Sequence, residues 1–163
     1  MKKVTVLIVE RDDVARRKLR SSLLTHGYEL IESRDRAGVY QSIQTRKPDL
    51  VIVGFRQNEA GEEFELTNQI RKLDRRLPII WTNSNQTNQT NQTNDLILTA
   101  LRSGVKDYLK EPFSTDELIE SIQRCLYGCL SRKAPVAQSQ VRRHEPLWSN
   151  RGHRGRSDLP SRG

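Results

Sequence analysis

Histidine is scarce and scattered: His26, His144 and His153 stand at no spacing that would ligate a metal. The two cysteines, Cys125 and Cys129, show neither a metal-binding spacing nor a disulfide pattern, which fits a reducing compartment. Four residues apart on one apolar stripe, they are expected to be packing residues. The chain has no phosphate-binding glycine loop and no recognisable nucleophile–base pair, so neither an enzyme activity nor a cofactor is expected. The opening "MKKVTVLIVE" carries an apolar run too short for a signal peptide or a membrane span. A cytoplasmic protein without membrane contact is the expectation. Apolar residues make up 34% of the 163, low for a chain that folds throughout. Part of the sequence is therefore expected to stay out of the core.

Charge locates that part. The net charge is +8, but from Ser131 onward eight Lys/Arg face two acids, a net of +6, which leaves 20 Lys/Arg and 18 acids, a net of +2, for residues 1–130. Residues 131–163 mix Arg, Gly, Ser, Pro and Gln with few apolar residues and are expected to form a disordered basic tail. Its clusters Arg142–Arg143 and Arg151–Arg156 could attract nucleic acid or an acidic protein weakly and without specificity. Thirty-three residues are too few for a DNA-binding domain with its own core.

Residues 1–130 read as five strands alternating with five helices. "VTVLIVE", "YELIES", "DLVIVGF", "LPIIW" and "VKDYL" are short apolar runs of the kind buried in parallel sheets. Between them lie helical segments with recognisable ends. Asp12 or Asp13 can cap the first, whose stripe is Val14, Leu19, Leu23 and Leu24, and Gly27 stops it. Phe64, Leu66, Ile70 and Leu73 mark the third, and Gly104 closes the fourth, "DLILTALRSG". Ser114 or Thr115 caps the fifth, with Leu118, Ile122, Cys125, Leu126 and Cys129 on one face. Such alternation predicts an α/β three-layer sandwich with a five-stranded parallel sheet. In sheets of this kind function sits at the carboxyl ends of the strands. Before the fourth helix lies "NQTNQTNQTN", with no apolar member. Residues 83–94 are expected to be a mobile polar loop, a product of repeat slippage more than of selection for a binding site.

The landmarks, taken in order, resemble the receiver domain of two-component response regulators, a flavodoxin-like (CheY-like) fold. They are "VLIVE" before acidic residues, "HGYEL", "KPDLVIV", "FELTNQIR", "LPII", "SGVKDYLKEPF" and "ELIESIQRCL", and they cover roughly residues 3–127. The resemblance implies a site of fixed logic. An aspartate at the end of the third strand accepts a phosphoryl group, and two acids after the first strand help it hold Mg²⁺. A Ser or Thr after the fourth strand, a Lys before a cis-proline, and an aromatic on the fifth strand complete the device. The metal offsets the mutual repulsion of the carboxylates.

Laid on that pattern, this chain departs at most positions. Gly54 stands at the acceptor position, Glu10 keeps the first acid, and Arg11 replaces the second. The hydroxyl position falls on Asn83, with Thr82 and Ser84 beside it. Glu111 takes the lysine position, with Lys110 one residue early, and Pro112 and Tyr108 match. Glu10, Arg11 and Glu111 sum to −1, so Arg11 is expected to serve as an internal counterion to one of the carboxylates. No metal and no aspartyl phosphate are expected. The resemblance thus implies a degenerate receiver, or pseudo-receiver. It would be a phosphorylation-independent protein-interaction module, binding a signalling partner through the face that carries Tyr108. One alternative is a phosphorelay regulator whose acceptor has moved to Asp12, Asp13 or Glu59. The other is a regulator that binds nucleic acid through its tail.

Overall fold

In the computed structural model, described for residues 2–56, 60–83 and 90–128, strands and helices alternate. They run in the order β1 (Thr5–Val9), α1 (Asp13–Thr25), β2 (Glu29–Ser33), α2 (Arg36–Arg46), β3 (Leu50–Phe55), α3 (Ala60–Leu73), β4 (Ile79–Asn83), α4 (Thr90–Arg102), β5 (Asp107–Lys110) and α5 (Thr115–Tyr127). All strand pairings are parallel, in the order β2-β1-β3-β4-β5. This is the flavodoxin-like arrangement that the alternation predicts.

Period-two alternation along the strands builds two cores. Val6, Ile8, Leu50, Ile52 and Ile80 pack against Leu19 and Leu23 of α1 and Leu118 and Ile122 of α5. Their sequence neighbours Leu7, Val9, Val51, Val53, Ile79 and Trp81 face the other way, against Val39 and Ile43 of α2, Leu66 and Ile70 of α3, and Ala100 of α4. Trp81 is fully buried; it stacks on Phe55 at 4.8 Å, meets Phe64 edge-on, and donates its indole N–H to Thr67 Oγ1 at 3.1 Å.

Helix ends follow local chemistry. Asp12 Oδ1 accepts the N–H groups of Val14 and Ala15, so Asp12 is the cap of α1. Ser114 caps α5 in a reciprocal pair with Glu117. Gly27 and Gly104 carry the positive φ that ends α1 and α4.

Three expectations need correction. The buried stripe of α1 is Ala15, Leu19 and Leu23, while Val14 and Leu24 are 61% and 51% exposed. A stripe at i, i+4, i+8 starting from the small Ala15 lets the helix lie close to the sheet, which turns Val14 outward. On α3, Leu73 is likewise exposed where a core position was expected. The polar repeat is not wholly loop: Asn83 ends β4, and α4 begins at Thr90, five residues before the expected start. Helix propagation from the apolar half, one bond per added residue, carries the polar residues with it. Residues 84–89 and the tail from 129, with Cys129, lie outside the described residues. Cys125 packs against the α1/α5 core, where burial pushes its thiol up to about 11. Among the described residues, no helix is long and apolar enough to cross a membrane.

Candidate functional site

The strand register brings the site together. Val6 pairs with Leu50 and Ile8 with Ile52, so the same offset carries Glu10 to Gly54 on one face of the sheet. Across β3 and β4, Gly54 is paired with Thr82, and Thr82 in turn with Leu109. Asn83 lies one step on, paired with Phe55 and Lys110. Thr82, not Asn83, is therefore the hydroxyl-bearing or amide residue directly across from Gly54, and it is buried.

The space beside Gly54 is filled. Glu10 is 4% exposed, and its carboxylate lies over the glycine. A Cβ added at Gly54 would overlap that carboxylate, closest to Oε2, with Oε1 2.9 Å away. Oε1 accepts the Asp12 N–H at 2.9 Å, which fixes the side chain in this inward pose. Burial pushes the Glu10 carboxyl above its usual range, against the opposing pull of the Asp12 N–H and the positive charge of Arg56. Any side chain here would have to displace the Glu10 carboxylate, so glycine suits the position by close approach, not by a special φ.

Arg11 does bind a carboxylate, but a different one from those expected. Its Nη2 lies 2.8 Å from Glu62 on α3, in place of the anticipated pairing with Glu10 or Glu111. The physical reason is direction. Glu10 points into the sheet face, and Arg11, next in an extended chain, points the opposite way, toward the α3 side. Asp13 is held by Arg16 and, at 3.2 Å, by Arg34, and these guanidinium groups lower its carboxyl below the ordinary range.

Toward β5, the Asn83 side-chain amide donates to the Tyr108 hydroxyl at 2.8 Å, and the Asn83 carbonyl accepts the Glu111 N–H at 2.9 Å. Tyr108 is half-buried against the α2–α4 core, and burial raises its hydroxyl pKa. Lys110 is exposed. The Glu111–Pro112 peptide is cis, and both residues line a groove against Lys18 and Ser22 of α1. The structure thus joins Glu10, Gly54 and Thr82 in one row, and Asn83 with Tyr108 in another, while Arg11 reaches the cleft beside Gly54 from the α3 side and Glu111 lies in the separate groove against α1.

Residues that sequence reasoning passed over also line the cleft beside Gly54. Arg34, Arg36, Arg56 and Glu62 stand there with Arg11. Arg56, two residues past Gly54 at the end of an apolar strand, carried a positional signal that could have flagged it. Nothing in the sequence announced Glu62.

The donors present do not fit a divalent cation of the Mg²⁺ type. Such an ion wants several oxygen ligands with at least one or two free carboxylates. Here one buried carboxylate faces Gly54, already engaged by a backbone N–H, and four arginines line the cleft beside the glycine. Among the described residues, no group of three or more His, Cys, Asp or Glu stands placed to hold a metal.

Comparison with known proteins agrees on the fold and family. The model of the response regulator receiver domain matches residues 6–123. Response regulator MprA of Mycobacterium sp. (strain KMS) is 26% identical over 123 residues, 76% of this chain and 50% of that protein. Chemotaxis protein CheY of Bacillus subtilis is 23% identical over 122 residues, 74% of this chain and 96% of its own. The chain therefore spans about half the length of the MprA relatives it matches, and nearly all of the chemotaxis protein. Among solved structures, a response regulator from Thermotoga maritima superposes with a TM-score of 0.66 at 22% identity, covering 77% of this chain and 98% of that one. With five parallel strands in the order 2-1-3-4-5 and a family match across most of its length, this chain belongs to the response regulator receiver domains of two-component signalling.

Proposed function

We propose that this receiver domain is a phosphorylation-independent protein-interaction module in two-component signalling, a pseudo-receiver without catalysis of its own. One observation carries the reading: the volume that an acceptor side chain at position 54 would need is occupied by the Glu10 carboxylate. Gly54 offers no oxygen nucleophile, and a buried Glu10 bonded to the Asp12 N–H is poorly placed to replace it. The relocated-acceptor alternative finds little support at Asp12, which caps α1, or Asp13, which is bound by Arg16 and Arg34. Glu59 lies outside the described residues.

The mechanism is docking in one fixed state. The Asn83–Tyr108 hydrogen bond ties the β5 aromatic to a residue at the site's edge. That supports an output face of constant shape, free of any switch by phosphoryl transfer. On α4, Leu98 and Leu101 are exposed, apolar surface suited to a signalling-protein partner.

The experiment is incubation of the full chain with acetyl phosphate and Mg²⁺, followed by intact mass spectrometry under denaturing conditions. The expected result is no added phosphoryl mass. A stoichiometric adduct that maps anywhere within residues 1–130 would overturn the proposal.

A further inference from the structure

Four arginines line the cleft at the carboxyl ends of β1 and β3: Arg11, Arg34, Arg36 and Arg56. Three are committed. Arg11 pairs with Glu62 at 2.8 Å, Arg34 with Asp13 at 3.2 Å, and Arg36 donates to the Glu62 carbonyl at a long 3.3 Å. Arg56 differs. It is half-buried, and among the described residues its guanidinium has no hydrogen-bond or ion-pair partner. Its charge nevertheless reaches Glu10, whose carboxyl it helps to hold down.

The acids of the cleft cannot serve Arg56 freely. Asp35 Oδ1 accepts the Gly38 N–H at 2.7 Å as the cap of α2, Glu62 is held by Arg11, and Glu63, the third acid lining the cleft, is buried with a partner of its own. Glu10 is withdrawn into the space over Gly54. A guanidinium does not lose its proton, and it brings five N–H donors that need acceptors. Half-buried, without a partner and beside three other arginines, it calls for an oxygen-rich anion. These arginines come from three separate segments: the ends of β1 and β3 and the start of α2. A tetrahedral oxyanion, with oxygens in several directions, can accept from more than one of them at once; a planar carboxylate suits a single fork.

We propose that this cleft binds a small oxyanion of the phosphate class non-covalently, through the guanidinium groups of Arg56 and Arg36. The inference concerns the same pocket as the proposed function but a non-covalent ligand. Bound phosphate is lost on denaturation, whereas an acyl phosphate adds mass, so the two ideas fail separately.

The test is a two-dimensional ¹H–¹⁵N NMR titration of the full chain with sodium phosphate, against sodium chloride at equal ionic strength. Saturable shifts are expected at the Gly54 and Arg56 amides and the Arg56 Nε–H. Arg56→Gln should weaken binding about tenfold or more, the loss of a charge-assisted fork, and Arg56→Lys should weaken it less. The combined tail variant R151Q/R154Q/R156Q should leave affinity unchanged. A parallel titration with O-phosphoserine separates sources: tighter binding than phosphate assigns the site to a phosphorylated side chain, weaker binding to the free ion. Shifts that match chloride and never saturate would overturn the proposal. So would equal affinity in Arg56→Gln, or loss on changing the tail. The spectrum itself reports folding; should Arg56→Gln unfold, Arg56→Lys decides.

Discussion

The two ends of the sheet treat their charged groups differently. At the amino end of β5, Asp107 accepts from the Ser121 hydroxyl, and at 2.8 Å from Arg124, so that one carboxylate stitches β5 to α5. Nearby Arg71 of α3 donates to the carbonyls of Arg75, Leu77 and Gly104, closing two loops with one guanidinium. At the carboxyl end, Glu10 is buried with its carboxyl pushed up, and Arg56 has no partner among the described residues. At the amino end these side chains join elements of the fold, although Arg71 Nε stays buried there without a hydrogen-bond partner. At the carboxyl end most polar groups are also paired, but the cleft keeps Arg56 without a hydrogen-bond or ion-pair partner among the described residues, and unused polar capacity in a cleft is where a ligand or partner can act.

Three substitutions would sharpen or break that contrast. The largest effect is expected from Gly54→Asp. Its Cβ would displace the Glu10 carboxylate and set two acids side by side, costing about 1–3 kcal/mol from overpacking, with repulsion added. Paired with Glu10→Ala, the same substitution should recover much of that loss. Urea unfolding of the two single variants and the double variant measures the coupling, and simple additivity would show that Glu10 does not fill the site. Asp107→Ala should cost about 1–3 kcal/mol by leaving the fully buried Ser121 hydroxyl and Arg124 without their acceptor. A neutral result would remove the claim that this carboxylate stitches β5 to α5.

The smallest effect is the pH dependence of Glu10. Its folded carboxyl lies above the ordinary 4.5, so between that value and the raised one the folded chain keeps a proton that the unfolded chain has lost. Stability contributed at Glu10 is therefore fully present below 4.5 and declines as pH rises through the folded value. Glu10→Gln should flatten this slope. Denaturant midpoints over a pH series would check it, and an unchanged slope would assign the titration elsewhere.

The sequence by itself determined the layers and their order. Apolar runs such as Leu50–Phe55 must be covered on both faces, and caps at Asp12 and Ser114 and stops at Gly27 and Gly104 set the lengths between them. It also showed which residue types stand at the site, because the offset between β1 and β3 follows from two hydrophobic strands. Only the tertiary structure decided which groups meet. Arg11 points to Glu62, 51 residues away, because successive residues in an extended chain face opposite sides. The Glu10 carboxylate turns into the space over Gly54, and Asn83 reaches Tyr108 across the β4–β5 pair. Hydrophobic periodicity reports which face a residue occupies, but the pairing of charges depends on distances of a few ångströms between chain segments that only folding brings together.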